Sequence, residues 1–410
     1  MTSKDGSRNV AVDGPLAGVR VVDLTEVLAG PYCSYQLALL GAQVVKVERP
    51  GTGDWVREQA GRPEAGGMGA GFLAQNANKR SIVVDLKHAR GVEVVTRVAR
   101  GADVFLENFS PGTAARLGLD AERMLRAYPR LVYASISGYG QDGPMSPRPA
   151  YDHVVQAVSG VMSVTGSPET APTRIGPPMI DYLTGIYSAF AVLAALRQRD
   201  RTGEGQRIDV AMLDCALAAM ASSVSGWLNT GQRPQPAGNT AASGSAASGV
   251  FETARGKLGL AANQDRQFAG LARTLGREDL LADPRFATDA ARRENREALR
   301  QILDAAFATA SAADWEERLS AAHVPAGEVR QIPEILASEQ VRARGLVHAL
   351  RDRSGGATFY AQGAGFKLNG TVPAPTEAPP RLGEHTDAVL REAGYDSAQI
   401  AELRRAAAVA

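Results

Sequence analysis

Along the first half of the chain, short apolar runs alternate with longer stretches of helical spacing. Val19-Arg-Val-Val-Asp-Leu24 is a nearly continuous apolar run and predicts a buried strand. Gly30 to Leu40 reads as a helix, Gly41 breaks it, and Ala42 to Glu48 predicts a second strand. Strand, short helix and strand of these lengths make a βαβ unit, which requires parallel pairing. The alternation continues with a strand at Ile82–Leu86, an amphipathic helix at Gly91–Arg100 and a strand at Asp103–Glu107. A helix carrying Arg116 follows, then a strand at Leu131–Ser137, a helix beginning near Tyr151 and Asp152, and a short strand at Gly205–Met212 that leads into an apolar helix. This is the pattern of an α/β fold with a parallel sheet.

One stretch departs from the alternation. Pro177 and Pro178 interrupt regular structure, Asp181 follows, and then Tyr182 to Leu196 is apolar almost throughout, closed by Arg197, Arg199 and Arg201. Leu183, Ile186, Tyr187, Phe190, Leu193 and Leu196 recur at three- and four-residue spacing, so the run predicts a mostly buried helix. Asp181 then sits at its N-terminus, where backbone N–H groups and the macrodipole favour an anion. A helix cap and a functional carboxylate are both open readings of that residue.

Beyond it the character changes. Residues 229–238 read as a linker, and 239–249 are small and polar. Phe251 to Leu260 predicts a hairpin, with helices following through Leu319. From Pro325 to Glu334 the chain reads as a return connection. Strands are expected between Ala357 and Leu368, ahead of a proline-rich stretch and a terminal helix.

Composition narrows the function classes. With 410 residues the chain can build two or three domains, and its 44% hydrophobic and 22% charged content is ordinary for a globular protein. A net charge of +1 gives no electrostatic reason to expect nucleic acid or a membrane surface. The two cysteines, Cys33 and Cys215, have no metal-type spacing and imply a reduced chain without a disulfide frame. The first residues lack an apolar signal core, and no run reaches the ~18 apolar residues of a membrane span, so a cytoplasmic location is expected.

The first strand–helix turn, Glu26-Val-Leu-Ala-Gly-Pro31, lacks the glycines that let a dinucleotide pyrophosphate approach, so NAD binding is disfavoured although Glu48 ends the second strand. Ligands of open α/β sheets sit at the carboxyl ends of strands. Arg49, Asn108 and Arg116 fall at or past such ends, whereas Lys79 and Arg80 precede a strand and would have to reach over by a loop. Cations converging there suit a phosphorylated ligand.

The pieces Gly18-Val-Arg-Val-Val-Asp-Leu, Ala29-Gly-Pro, Leu40-Gly-Ala-Gln-Val-Val-Lys-Val-Glu-Arg-Pro-Gly, Asn78-Lys-Arg-Ser and Glu107-Asn-Phe-Ser-Pro-Gly stand in order along the chain. They continue with Ala150-Tyr-Asp, Gln156-Ala-Val-Ser-Gly, Ile180-Asp-Tyr-Leu-Thr-Gly, Arg201-Thr-Gly-Glu-Gly-Gln and Leu382-Gly-Glu-His-Thr-Asp. Together they resemble the class III coenzyme A-transferases, the family of formyl-CoA transferase and its relative alpha-methylacyl-CoA racemase. The resemblance implies an interlocked homodimer. Each subunit would have a discontinuous Rossmann-like large domain (15–200 and 331–410), a linker (201–235) and a smaller α+β domain (236–330).

The resemblance also implies that Asp181 is the catalytic aspartate. It further implies that Arg49, Lys79, Asn108, Phe109 and Arg116 hold coenzyme A, which is a substrate rather than a resident cofactor. Asp181 would attack a donor thioester to form an anhydride and then an aspartyl-CoA thioester, from which an acceptor acid takes CoA. N–H donors near Asp181 would stabilise each oxyanion, and the helix N-terminus would keep the carboxylate ionised. The Gly-Ser-Ala-Ala-Ser segment at 244–248 would close over the site or serve as a simple linker.

Racemisation is the alternative within the family and needs an acid/base pair. Racemases place a histidine where this chain has Tyr151, and a phenol of pKa about 10 is a poor base at neutral pH. His153, two residues on, is expected to point elsewhere. Tyr151 is therefore expected to line the acyl pocket and Asp152 to help order CoA. Leu28 replaces a glutamine of formyl-CoA transferase, which turns the expectation from formate and oxalate toward a larger organic acid. A third class, an acyl-CoA-binding protein without exchange, is separated from these by activity alone.

Overall fold

The structure, a computed structural model, describes residues 14–59, 67–241, 244–351 and 357–410. Nearly all of the polar lead-in, much of the glycine-rich loop from 61 to 71 and residues 242–243 of the 239–249 segment lie outside them. Two compact units divide the chain. The first comprises 1–159, 175–225 and 339–410, and the second 160–174 and 226–338.

In the first unit the predicted alternation becomes a six-stranded, wholly parallel sheet. Its strands are β1 (Arg20–Asp23), β2 (Gln43–Glu48), β3 (Lys79–Val83), β4 (Val104–Glu107), β5 (Val132–Ser137) and β6 (Arg207–Ala211), in the order β3-β2-β1-β4-β5-β6. The order reverses between β1 and β4, and the crevice outside their carboxyl ends is where such folds bind ligands. Between the strands run α1 (Ala29–Leu39), α2 (Ala70–Leu73), α3 (Ala89–Ala99), α4 (Thr113–Leu117), α5 (Ala121–Ala127), α6 (Asp152–Val158) and α7 (Met179–Thr202), and α8 (Met212–Ala219) follows β6.

Side chains alternate between the faces of a strand, and both faces here are apolar because both are covered. Val21 of β1 and Val132, Ala134 and Ile136 of β5 pack with Cys33 and Leu37 of α1 and Val192 and Leu196 of α7. Their neighbours Val22, Phe105 and Tyr133 pack with Val94 and Val95 of α3 on the opposite face. That second core also takes Leu390, Leu403 and Val409, which is why the C-terminal segment belongs to the first unit.

The second unit holds an antiparallel sheet of β7 (Ser248–Glu252), β8 (Lys257–Ala261) and β9 (Ala326–Glu328). α9 (Ala221–Thr230) precedes it. α10 (Asp265–Thr274), α11 (Asp279–Ala282), α12 (Asp289–Glu294), α13 (Arg296–Phe307) and α14 (Ala312–Ala321) lie between β8 and β9. Phe251, Phe268, Phe286, Leu303, Phe307 and Trp315 form its core. After β9 come α15 (Ile332–Leu336), α16 (Glu339–Arg344), the hairpin of β10 (Val347–Arg351) and β11 (Thr358–Gln362), α17 (Thr386–Glu392) and α18 (Ser397–Arg405).

Several expectations shift. β6 and α8 fall inside the 201–235 stretch read as a linker, because β6 pairs with β5 as the sheet's edge. Residues 326–328 complete a sheet rather than return the chain. Among the described residues the C-terminal strands pair only with each other, and Phe366–Leu368 is not a strand but leads into a tight turn bridging Leu368 to Thr371. β3 begins at Lys79, three residues before the expected start, so Lys79 and Arg80 lie within it.

By length and composition α7, with 24 residues, could cross a membrane, contrary to the sequence reading. Ala189, Val192, Ala195 and Leu196 instead cover the sheet and α1. Ile186, Tyr187 and Phe190 of the stripe expected to be buried are exposed, because the close approach of α1 and the sheet favours the helix's smaller side chains. Gly185 allows that approach: a Cβ there would lie 2.8 Å from the carbonyl oxygen of Ala29 and 3.0 Å from the ring of Tyr32. In an open helix, glycine to alanine gains ~1 kcal/mol of propensity. Here the contact is with backbone, which cannot swing aside, so Gly185→Ala is expected to lower stability by ~1–3 kcal/mol. Denaturant unfolding checks this, and a more stable variant would refute the close packing of α1 on α7.

Candidate functional site

The start of α7 is organised from α6. Tyr151 occupies the N-cap of α6 and is 56% exposed, while Asp152, the next residue, turns inward and is buried. One carboxylate oxygen of Asp152 accepts the N–H of Ile180 at 2.8 Å and that of Asp181 at 3.2 Å. Its other oxygen accepts from the Gln156 amide at 2.6 Å, and the Gln156 carbonyl accepts the N–H of Ile175 at 2.9 Å. The N–H of Met179 closes a turn onto the Pro177 carbonyl at 2.8 Å. The N–H groups that a helix start leaves open are thus already partnered.

This corrects the sequence reading at two points. Asp181 does not cap its own helix, since Asp152 does so from 29 residues away. The first-turn N–H groups are therefore not free to receive an oxyanion. Nor is Asp181 held ionised. Burial, and then the adjacent Asp152 carboxylate, push its carboxyl up to about 7. His153 is exposed, as a surface residue should be, with its ring parallel to that of Tyr151 at a centroid distance of 6.4 Å.

At the carboxyl edge of the sheet, the β1–α1 loop crosses the switch point. Asn108, just past β4, pins it by accepting the Glu26 N–H at 2.9 Å and donating to the Glu26 carbonyl at 2.8 Å. Arg49, just past β2, pairs with the Glu26 carboxylate at 2.7 Å and donates to the Gly53 carbonyl. Val27 has φ of +72°, a conformation disfavoured for a β-branched residue. Asp54 accepts its N–H at 3.2 Å and the Gln75 amide donates to its carbonyl, holding it there. Leu28 follows, half-buried, at the N-cap of α1, where its side chain can accept no N–H.

The backbone of Lys79 begins β3 at its amino end, but its fully buried ammonium reaches Asp23, the last residue of β1, at 3.2 Å and the Pro31 carbonyl at 2.9 Å, so it is paired beneath this edge rather than open to a ligand. The exposed cation beyond the carboxyl end of β3 is Lys87, in the turn ahead of α3. Phe109 is half-buried against the α3-side core. Arg116 is exposed on α4 and donates to Thr113 at 2.7 Å.

Asp181, Asp152 and Tyr151 thus form one group, and Arg49, Asn108 and Glu26 another. The exit of the switch-point loop into α1 packs on α7 at Gly185, and Tyr32 meets Tyr182 edge-on at 4.8 Å. A cavity of about 930 Å³ opens at the amino edge of the sheet instead. Of the arginines that line it, Arg80 pairs with Glu392 and Arg97 donates to the carbonyls of Ala393 and Gly394. It is not where this fold presents ligands. Among the described residues no cluster of three metal-type side chains occurs.

A family model described as CoA-transferase family III matches residues 16–386. The chain belongs to that family. It is 37% identical over 390 residues to succinyl-CoA:glutarate CoA-transferase of Mus musculus, covering 95% of this chain and 89% of that one. It is 36% identical over 382 residues to acetyl-CoA:oxalate CoA-transferase of Acetobacter aceti, with coverage of 92% and 96%. Among solved structures, a CAIB/BAIF family protein from Brucella suis superposes with a TM-score of 0.83 at 36% identity, over 93% of this chain and all of that one. The chain is thus a family III CoA-transferase by sequence, on the α/β fold seen in a CAIB/BAIF structure.

In this CoA-transferase, sequence reasoning did not single out Gln156 and Glu26, which brace the two groups of residues. Gln156 stands four residues after Asp152, a helical i,i+4 spacing that was legible, but its second partner, Ile175, was not. The state of Asp181 has a consequence for stability. A carboxyl whose pKa is raised from 3.8 to about 7 binds its proton more tightly in the folded chain, so it lowers stability as pH rises through that window. Asp181→Asn, which mimics the protonated form, is expected to be more stable than wild type at pH 8 by up to about 4 kcal/mol, with the gain gone near pH 4. Urea unfolding at the two pH values measures it; equal stability at pH 8 would contradict the raised pKa.

Proposed function

We propose that the chain transfers coenzyme A from an acyl-CoA to a carboxylic acid through covalent intermediates on Asp181. The observation that carries this reading is that Asp181, buried at the start of α7, is relieved of capping by Asp152, which leaves its carboxyl available for chemistry.

A carboxylate oxygen of Asp181 attacks the thioester carbonyl carbon, the C–S bond breaks, and CoA thiolate leaves an aspartyl–acyl anhydride. The thiolate attacks the aspartyl carbon, the donor acid departs as carboxylate, and an aspartyl-CoA thioester remains. The acceptor carboxylate attacks that thioester and expels CoA thiolate. The thiolate then attacks the acceptor acyl carbon and regenerates the Asp181 carboxylate. No step consumes a proton, so the enzyme must start from ionised Asp181, and a group titrating at about 7 is partly ionised at neutral pH.

Coenzyme A lies along the carboxyl edge in this reading, with Arg49, Asn108 and Phe109 at the switch point and Arg116 and Lys87 as phosphate partners. Lys79 is withdrawn from that set because its ammonium is buried against Asp23. Tyr151 and Leu28 line the acyl side, and a relative named for succinyl-CoA and glutarate supports a dicarboxylic acid pair. The relative named for oxalate keeps that acid in the panel to be tested despite Leu28. A homodimer has apolar surface to use, since Phe190 on α7 is 68% exposed and Ile186 50%. Tyr151, a poor base, supports exchange over racemisation.

Incubation with acyl-CoA and hydroxylamine is expected to leave a hydroxamate on the Asp181 peptide, read by mass. Asp181→Ala is expected to abolish exchange between acids, and a variant that still exchanges CoA would end the covalent proposal. Deuterium uptake at C2 without exchange would favour racemisation. The two lysines should also separate. Lys87→Ala is expected to raise the thioester KM about tenfold, the weight of one charged hydrogen bond, with kcat little changed. Lys79→Ala should lower Tm by several degrees. The reverse pattern would return Lys79 to the binding site.

A further inference from the structure

We infer that Asp152, seconded by Gln156, is a positioning residue that fixes Asp181 and sets the pH at which it becomes a nucleophile; the inference rests on the proposed role of Asp181. Asp152 holds two consecutive N–H groups of α7, one of them that of Asp181 itself. Its second oxygen is bound by Gln156, which also grips Ile175 at both N–H and carbonyl. One turn of α6 therefore staples both ends of segment 175–181, whose prolines cannot hold it by regular hydrogen bonding. An ordinary cap needs only an acceptor, and serine, threonine or asparagine would serve. Placing a buried carboxylate beside another carboxylate adds something a neutral cap does not: it opposes ionisation of Asp181.

The other titratable groups nearby do not compete for that role. Tyr32 on α1, Tyr133 on β5, Arg207 and Asp209 on β6, Asp214 and Cys215 on α8, His153 on α6 and Tyr182 on α7 itself lie on the elements packed around the helix. After burial, the Asp152 carboxylate is the charge that raises the Asp181 carboxyl.

Two substitutions separate cap from charge. Asp152→Asn keeps an acceptor for the two N–H groups and removes the negative charge, giving up only the acceptor for the Gln156 amide. Asp152→Ala removes both. Asp152→Asn is expected to retain most of kcat while the acidic limb of its kcat/KM–pH profile moves down by ~1 unit. The shift is partial because burial, the larger cause, remains. Asp152→Ala is expected to lose between about tenfold and a hundredfold in kcat through misplacement of Asp181.

The Asp181 carboxyl is also titrated directly in the full-length enzyme by ¹³C NMR with labelled aspartate, its signal assigned by its absence from Asp181→Ala. Its midpoint should fall in Asp152→Asn. An unmoved limb and midpoint in Asp152→Asn, or wild-type kcat in Asp152→Ala, would overturn the inference. If Asp181→Ala still exchanges CoA, the nucleophile reading fails, yet the NMR midpoint still decides whether Asp152 governs Asp181.

Discussion

Six buried charges beneath the carboxyl edge of the sheet hold the rest of the first unit in place. Asp23 pairs with Lys79, Lys46 with Asp54, and Glu48 with Arg57 at 2.6 Å. Strand register puts Asp23 beside Lys46 and Lys46 beside Ser81, so these side chains share the face that α1 covers. Burial alone would raise the Asp23 carboxyl, but Lys79, Lys46 and the hydroxyls of Ser34 and Thr25 hold it below its ordinary value. Such pairs add little net stability over an apolar core, because desolvation offsets most of the attraction. Removing one partner is another matter and costs ~3–5 kcal/mol, so the set is retained or lost together.

What the network fixes is loop geometry. Asp54 binds the Val27 N–H, Lys46 donates to the Thr25 carbonyl at 2.7 Å, and Asp23 accepts from Thr25 and Ser34. The left-handed Val27 persists because these contacts over-determine it, and residues 24–28 reach the switch point in one conformation. The two halves of the site therefore differ in electrostatic character. At the sheet edge, opposite charges are matched and the scaffold is rigid. At the start of α7, two carboxylates are set side by side and one of them is left with a displaced pKa, the kind of imbalance that marks reactive groups.

How much of this was legible depended on range. The strands and their parallel pairing came from apolar runs, and the existence of α7 from its apolar length, which are local signals. The three- and four-residue stripe named the wrong face, since Ile186, Tyr187 and Phe190 are exposed and smaller residues meet the sheet. Lys79 was misplaced for a physical reason. Asn78-Lys-Arg-Ser looks like a solvated approach to a strand, because polarity argues against burial unless the partner is known, and Asp23 lies 56 residues away. The same blindness gave Asp181 its cap. Asp at a helix start is a sound cap by local rules, and nothing in the sequence says that another aspartate, 29 residues earlier, has taken the N–H groups. Conversely, Gly185 reads as a weak spot in a helix and is the point where α1 needs room.

The long apolar helix and the acid at its head are parts of one arrangement. α7 is buried along the face that meets α1 and the sheet, so its axis cannot tilt without opening the core around Val192 and Leu196. α6 then fixes its first turn through Asp152 and Gln156. A carboxyl on that turn has neither loop mobility nor a capping bond of its own, and burial keeps water from solvating it well. Those conditions destabilise the carboxylate and, by the same token, leave it weakly satisfied and reactive toward a carbonyl carbon. The stability given up at Asp181 is carried by the packing behind it, which explains why a single exposed-looking acid in the sequence needs so long a buried helix to stand on.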